Sequence, residues 1–134
     1  MSQIFLEWLR SANDDLLLIE KNINDINLTH LMAFHAQQSI EKSLKSVLEY
    51  YNLDIPKVHS LSKLFDLCSD NFKFYFDYEI IAKLDKLYID ARYPGDLGLL
   101  PNGKPSINEA KKFYDFAKSV HESVRGKLTG KIEN

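Results

Sequence analysis

A helical repeat of apolar residues in the run 28–51 constrains the fold of this chain more than any other feature. Its apolar positions recur every three or four residues, at Ala33, Ala36, Ile40, Leu44, Val47 and Tyr51. This spacing predicts a long amphipathic helix with one apolar stripe. Gln38, Lys42 and Lys45 are predicted on the opposite face of that helix, with His35 at its edge.

Four other segments repeat with the same period, at 4–23, 61–68, 78–92 and 107–128. The predicted apolar stripe of the fourth helix consists of Ile80, Leu84, Leu87 and Ala91. The chain is therefore predicted to be all-α, an up-and-down bundle of four long helices plus one short helix. We expect one domain over 1–128, because a chain of 134 residues fits a single domain.

Short polar residues mark where several of these helices begin. Ser60 and Asp77 are predicted N-caps, and Ser106 with Glu109 forms a capping box. The aromatic segment 72–76 has no candidate partner strand, so it is predicted to be a turn or short helix that packs on the core. The connection between the first and second helices is only a few residues long, so these two helices are predicted to be antiparallel neighbours.

Composition excludes several classes of protein. The formal net charge of -2 does not indicate a general nucleic-acid or membrane binder. No apolar run approaches the ~20 residues of a membrane span, and no signal pattern is present, so we expect a soluble cytoplasmic protein. Cys68, the lone cysteine, is predicted to be a buried thiol. Gly126 and Gly130 favour fraying, so 129–134 is expected to be a flexible tail.

The four histidines do not share the spacing of metal ligands. His30 and His35 lie five residues apart, so a helix points them in different directions, and His59 and His121 stand alone. The HExxH and CxxC motifs are absent, and we expect no metal site and no cofactor. A glycine-rich phosphate loop is absent as well, so any phosphate would be held by side chains.

The candidate ligand-binding residues are Gln38, Lys42, Lys45, Tyr88 and Arg92. Arginine binds a phosphate through two parallel hydrogen bonds and lysine acts as a point charge, so the mixture suits a nucleotide or phosphate. A purely structural interpretation stays open beside this one. In it, Glu41 and Lys45 form an ion pair four residues apart, and Asp85 neutralises Arg92.

Two further interpretations remain open. His35 or His59, together with Arg92, has the residue types that acid–base chemistry on a phosphodiester requires, although nothing in the sequence fixes their distances. The loop 93–105 is long and rich in proline and glycine, which is typical of a functional segment. In a scaffold without a ligand, its apolar residues would dock a partner chain: Leu97, Leu99 and Leu100.

Three motifs together resemble those of the HEPN domain family (higher eukaryote and prokaryote nucleotide-binding), in its small stand-alone prokaryotic form. Gln37–Lys45 reads Gln-Gln-x-x-Glu-Lys-x-x-Lys, and the linker contains Pro56 and the run His59-x-Leu61. Tyr88–Pro94 reads Tyr-x-x-Ala-Arg-Tyr-Pro. The resemblance covers the chain from the first helix to about Leu128 and rests on the order and spacing of the motifs.

This resemblance implies a helical bundle like that of nucleotidyltransferase substrate-binding subunits. It also implies a homodimer, a minimal nucleotidyltransferase partner in a toxin–antitoxin-like module, and a nucleotide or RNA ligand. Some family members are metal-independent ribonucleases in which Arg is followed, after four to six residues, by His. Here Arg92 keeps the family position, but Tyr-Pro-Gly-Asp-Leu-Gly follows it, and the pair His121 and Arg125 runs in the reverse order. We therefore expect binding, and ribonuclease activity is the alternative.

Overall fold

The computed structural model describes residues 3–75, 77–92 and 103–133, and within these ranges it leaves the side chains of 91–92 and 131–133 undescribed. It contains five α-helices: α1 (Ile4–Lys21), α2 (Thr29–Tyr50), α3 (Leu61–Cys68), α4 (Tyr78–Arg92) and α5 (Ile107–Glu133). A 3-10 turn over Ile26–Leu28 joins α1 to α2. The described residues contain no strand, and the prediction of an all-α bundle is confirmed.

Helix α2 lies at the centre of the bundle and contacts each of the other four helices. Leu31 is its last exposed residue, and every later residue of the helix is buried or half-buried. The predicted apolar stripe is buried at Ala33, Ala36, Ile40, Leu44 and Val47. Serines at 39, 43 and 46 are buried on its other sides. Their small side chains let the neighbouring helices cover α2 almost completely.

All of the predicted capping contacts are present. Ser60 Oγ accepts a hydrogen bond from the Lys63 amide at 3.3 Å, and Asp77 Oδ1 accepts one from the backbone amide of residue 80 at 3.1 Å. In the capping box, Ser106 Oγ accepts from the Glu109 amide at 3.1 Å while Glu109 Oε1 accepts from the Ser106 amide at 3.2 Å. These contacts satisfy amides that the first turn of a helix leaves free.

The buried face of α4 is rotated relative to the predicted one. Ile81, Leu84 and Tyr88 are buried, whereas Ile80 and Leu87 are half-buried. The predicted stripe ran through Ile80 and Leu87 because these residues lie four residues before and three after Leu84. On this helix both of them lie at the edge of the buried face. Consequently Tyr88 belongs to the core, with 7% of its surface exposed. Ala91 lies outside the described side chains.

Helix α5 packs on α2 through its predicted apolar stripe, and Ala110, Phe113, Ala117, Val120, Val124 and Leu128 are all buried. Its backbone stays helical through Gly126 and Gly130 and ends at Glu133. The helix thus extends beyond Leu128, and the expectation of a flexible tail over 129–134 stays a prediction. A glycine lowers helix propensity by only about 1 kcal/mol, which packing along the preceding turns offsets.

The aromatic segment before α4 is irregular over 72–75, where a turn or short helix was predicted; Phe72 and Phe74 pack on the core as predicted, whereas Tyr75 is exposed. Phe72 and Phe74 stack with ring centroids 4.1 Å apart, and Phe74 meets Phe65 of α3 edge-on at 5.2 Å. Cys68 is buried, as predicted, and burial raises the pKa of its thiol to about 12.

Most of the loop 93–105 lies outside the described residues, including Leu97, Leu99 and Leu100. At its described end, Lys104 Nζ donates to the backbone carbonyl of Asn27 at 2.9 Å. This hydrogen bond connects the segment just before α5 to the connection between α1 and α2. Within the described residues, none of the helices is long and apolar enough to cross a membrane.

Candidate functional site

Two buried carboxylates organise the polar face of α2. Asp15 of α1 and Glu41 of α2 are both less than a tenth exposed. Each accepts hydrogen bonds from one histidine and one lysine, and the lysine balances the charge of the buried carboxylate. All four of these partners were suggested by the sequence as ligand-binding or catalytic residues. We call these groups the Asp15 cluster (Asp15, His35 and Lys42) and the Glu41 cluster (Gln37, Glu41, Lys45 and His59).

The Asp15 cluster joins α1 to α2. His35 Nδ1 lies 2.8 Å from Asp15 Oδ1, and Lys42 Nζ lies 2.8 Å from Asp15 Oδ2. His35 and Lys42 are seven residues apart and therefore lie on one side of α2, where a single carboxylate reaches both. The side chains of His35 and Lys42 are 25% and 23% exposed, so both remain accessible to a ligand.

The Glu41 cluster joins α2 to the linker between α2 and α3. Glu41 Oε1 lies 3.0 Å from His59 Nδ1, and Lys45 Nζ donates to Glu41 Oε2 at 3.0 Å. Gln37 Nε2 donates to the His59 carbonyl at 2.8 Å and to Glu41 Oε1 at 3.2 Å. His59 is thus held by its ring and by its backbone, while 48% of its side chain stays exposed.

Lys45 is the residue whose predicted environment differs most from the observed one. It was placed on the outer face of α2, yet it is 7% exposed and its ammonium is bound to Glu41. The placement on the outer face is wrong because α2 has no outer face at this level. The ring of Trp8 from α1 covers Lys45, with Nζ 5.7 Å from the ring centroid. The ion pair of the structural interpretation, Glu41 with Lys45, is confirmed.

Four aromatic rings form a row that connects the two clusters, which we call the ring row (His35, Phe34, Tyr88 and His59). Successive centroids lie 5.3, 5.7 and 5.1 Å apart, and each pair meets edge-to-face. This is the favoured geometry for aromatic pairs. The row brings together α2, α4 and the linker, and it has an imidazole at each end.

Gln38 lies between the two clusters on α2. Its Nε2 donates to Gln37 Oε1 at 2.7 Å. Because Gln37 uses its own NH₂ group on His59 and Glu41, its oxygen must accept, which fixes the orientation of the Gln38 amide. Gln38 is half-buried, as a residue at the edge of a groove would be.

Arg92 is the last residue of α4, one helical turn after Tyr88 of the ring row. Its side chain is not described, so its proposed contacts stay a prediction. Asp85, the suggested partner of Arg92, accepts from the amide of Leu61 at 2.8 Å and from the amide of Ser62 at 3.4 Å. Asp85 thereby joins α4 to the first turn of α3, where a carboxylate is stabilising.

Sequence reasoning missed Asp15 and the partner of His59. Asp15 lies three residues after Ala12 and four before Ile19, so it occupies an apolar position of the α1 stripe. A charged residue at such a position indicates a buried charge with a partner, and that signal was available. The pairing of His59 with Glu41 crosses 18 residues and a linker, and no local pattern encodes it.

The histidines do not form a metal site. Across residues 3–75, 77–92 and 103–133, no group of three or more His, Cys, Asp or Glu side chains is arranged to hold a metal ion. His35 and His59 each make a hydrogen bond to a carboxylate through Nδ1, and each of these carboxylates also forms an ion pair with a lysine. What the arrangement offers chemically is two imidazoles, each oriented by a carboxylate that also binds a lysine.

Comparison with known proteins gives one match. The family model of the HEPN domain matches residues 5–127, which is nearly the whole chain. Curated proteins and solved structures gave no significant match. The matched range includes every residue of the two clusters and of the ring row, and it also includes Arg92.

Proposed function

The chain belongs to the HEPN domain family, and from this premise we propose that it binds a nucleotide or polynucleotide through phosphate. The proposed site is the surface that the polar face of α2, the linker and the last turn of α4 share around His59 and Tyr88. In this proposal Gln38, Lys42 and Arg92 contact the ligand, as the sequence suggested, whereas the buried Tyr88 supports the site through its ring contacts instead of binding the ligand itself. Lys45 acts indirectly, because it fixes the carboxylate that holds His59.

The observation that carries this proposal is the exposed, oriented imidazole of His59 beside the end of α4. Its Nδ1 donates a hydrogen bond to the Glu41 carboxylate, which can only accept. This contact fixes the tautomer of the ring, so that Nε2 is the nitrogen left for a ligand. The aromatic contact with Tyr88 fixes the ring plane. Arg92 follows Tyr88 by one helical turn on α4, and arginine is the residue type that binds a phosphate through two hydrogen bonds.

We further propose that the protein acts as a homodimer with a minimal nucleotidyltransferase as partner, in a toxin–antitoxin-like module. This part rests on the motifs that the chain shares with the family. Co-expression with a minimal nucleotidyltransferase, followed by size determination of the purified proteins, tests it. A monomer that leaves the nucleotidyltransferase unbound would refute this part alone.

Nucleotide binding is tested by thermal unfolding of the protein with nucleoside mono- and diphosphates and short RNA. A ligand at about 100 times its dissociation constant stabilises the folded state by ~2.7 kcal/mol, a shift of several degrees for a domain of this size. Arg92→Gln should abolish the shift, and Lys86→Gln, an exposed lysine on the same helix, should preserve it. A shift that survives Arg92→Gln would remove the end of α4 from the site.

A metal-independent ribonuclease is the second candidate, and the His59–Glu41 pair favours it. A carboxylate that orients an imidazole is the arrangement of a general base. In this reaction the 2′-hydroxyl of RNA gives its proton to His59 Nε2 and attacks the phosphorus. The bond to the 5′ oxygen then breaks, and water supplies the proton to that oxygen.

Incubation of the protein with RNA in the presence of a chelator tests the second candidate. His59→Asn should abolish cleavage and Glu41→Gln should lower it, whereas His30→Asn, outside both clusters, should leave it unchanged. Cleavage that persists in His59→Asn would refute the assignment. RNA binding without cleavage would leave the first proposal as the function.

A further inference from the structure

A groove between α1 and α5 lies apart from the candidate site. Both helices pack mainly on α2, and they leave between them a cavity of about 400 Å³. Pockets that bind small molecules have volumes of roughly 300–1,000 Å³. The buried leucines Leu9 and Leu16 give the groove an apolar surface. His121 and Arg125, whose order is the reverse of the ribonuclease motif, also line it.

His121 offers an unused hydrogen-bond acceptor to this groove. The residue is only 6% exposed, and its Nε2 lies 3.2 Å from the carbonyl oxygen of Leu9. A carbonyl oxygen only accepts, so Nε2 carries the proton. Burial lowers the pKa of His121 below the ordinary 6.5, so the ring is neutral and Nδ1 has a lone pair. Nδ1 makes no hydrogen bond with any described residue, and it is not among the polar atoms enclosed in the core.

Side chains of opposite charge lie beside this ring on the exposed side of α5. Glu122 and Arg125 both line the groove and are three residues apart, a spacing at which side chains on a helix meet. Glu122 also follows Lys118 by four residues. Within the part of the chain that the structure describes, Glu122 forms an ion pair with neither of these cations. Both signs of charge are therefore available to a ligand within one helical turn.

The other charged groups of the groove already have partners. Arg10 is bound to Glu7, and Glu20 accepts a hydrogen bond from the hydroxyl of Tyr114 at 2.6 Å. The ammonium of Lys118 lies 6.0 Å from the centroid of the Tyr114 ring. Because acidic and basic side chains alternate along the groove, a polyanion such as a nucleotide would meet repulsion there. A ligand with one positive and one negative group matches these charges better.

We propose that this groove binds a free α-amino acid with an apolar side chain. Its carboxylate binds the guanidinium of Arg125, and its ammonium group donates to Nδ1 of His121 and to the carboxylate of Glu122. Its side chain packs on Leu9 and Leu16. One carbon joins the ammonium and carboxylate groups of an α-amino acid, which suits binding groups one turn apart on a helix. The groove shares no residue with the Asp15 cluster, the Glu41 cluster or the ring row, so this inference is independent of the proposed function.

Isothermal titration calorimetry with valine, leucine, isoleucine, methionine and phenylalanine tests the proposal. The amino acid that binds most tightly is then compared with two derivatives. Its amide lacks the carboxylate, and the corresponding carboxylic acid lacks the ammonium group. We expect each derivative to bind at least about tenfold more weakly, which is the effect of one lost charge-assisted hydrogen bond.

Two variants assign these losses to their partners. Arg125→Gln should remove the preference for the amino acid over its amide, because the carboxylate no longer has its cation. Glu122→Gln should reduce the preference over the acid without the ammonium group. Both side chains are exposed, so the fold should be unaffected. Lys111→Gln is the matched control, since Lys111 is an exposed residue of α5 outside the groove, and it should change neither preference.

Nuclear magnetic resonance of the isotope-labelled imidazole nitrogens tests the role of His121. The Nδ1 resonance should move when the amino acid binds, since its lone pair then accepts a hydrogen bond, and should stay in place with the acid that lacks the ammonium group. Four results would overturn the inference: failure of all five amino acids to bind, derivatives that bind as tightly, preferences that survive both variants, or an unmoved Nδ1 resonance. In each case nucleotide binding at the candidate site stands.

Discussion

Replacing Glu41 by leucine leaves the ammonium of Lys45 in the protein interior without its carboxylate. Both side chains are less than a tenth exposed, and their contact at 3.0 Å is a buried ion pair. Removing one partner of such a pair costs about 3–5 kcal/mol of unfolding free energy, because the remaining charge is desolvated and unpaired. We expect Glu41→Leu to cost about 3 kcal/mol, since the Trp8 ring still faces the ammonium.

Lys45→Met should cost less, about 2 kcal/mol, because Glu41 keeps its hydrogen bonds with His59 and Gln37. The double variant Glu41→Leu/Lys45→Met should be far more stable than the sum of the single variants predicts. An apolar pair of similar volume often replaces a buried ion pair without loss, so we expect it within about 1.5 kcal/mol of the unmodified protein. The resulting coupling energy, about 3 kcal/mol or more, is the quantity tested.

Urea denaturation followed by far-UV circular dichroism measures these free energies, and the m-values show whether all variants unfold in the same way. Glu79 and Lys83 of α4 are the matched control, an exposed pair with the same spacing and 3.6 Å between its charged atoms. Their replacement by Leu and Met should change stability by less than about 0.5 kcal/mol. Additive losses at Glu41 and Lys45, or losses below about 1 kcal/mol, would refute the reasoning.

Three further predictions concern other parts of the bundle. His121 is buried and donates to the Leu9 carbonyl, and burial lowers its pKa below the ordinary 6.5, so the unfolded chain binds the proton more tightly. The contribution of His121 to the free energy of unfolding should therefore be fully present above about pH 6.5 and should be lost as the pH drops towards the lowered pKa of the folded protein. Denaturation measured between about pH 7 and 5 should show a weaker decline of this free energy in His121→Gln. Cys68, whose thiol pKa is raised to about 12, should react with a thiol reagent only on unfolding, and rapid labelling of the native protein would contradict its burial. Ser106→Ala should destabilise the protein by about 1 kcal/mol through the lost N-cap of α5, and an unchanged thermal midpoint would show that the cap contributes nothing.

Local signals predicted the helices, and partners distant in sequence determined the site. Ser60, Asp77 and Ser106 were identified as caps because an N-cap acts on amides two or three residues away. The apolar stripe of α2 was predictable as well, because its residues recur every three or four positions within a single helix. In contrast, the outward placement of Lys45 assumed that one side of α2 faces solvent. The structure covers that side with α1, which contributes Trp8 and Asp15.

In the candidate site too, the residue types could be predicted from the sequence, whereas their partners could not. Gln38, Lys42, Tyr88 and Arg92 were selected for chemistry and for their family positions, and the structure puts Gln38 between the clusters and Tyr88 inside the ring row. The carboxylate partners of His35 and His59 come from other parts of the chain, so spacing alone gave no means of pairing them. His59, which seemed isolated in the sequence, has the most contacts of the four histidines.

The enclosure of α2 restricts which parts of this molecule are able to move during function. A helix whose residues after Leu31 are all buried or half-buried exposes its amides mainly when the whole domain opens, so hydrogen exchange in this part of α2 should report global unfolding. A ligand is then unable to act by displacing α2 from its neighbours. Any response to binding must come from the elements attached to its surface, above all the linker. There, Gln37 donates to the His59 carbonyl and Glu41 accepts from the His59 ring, so these two contacts attach the linker to α2.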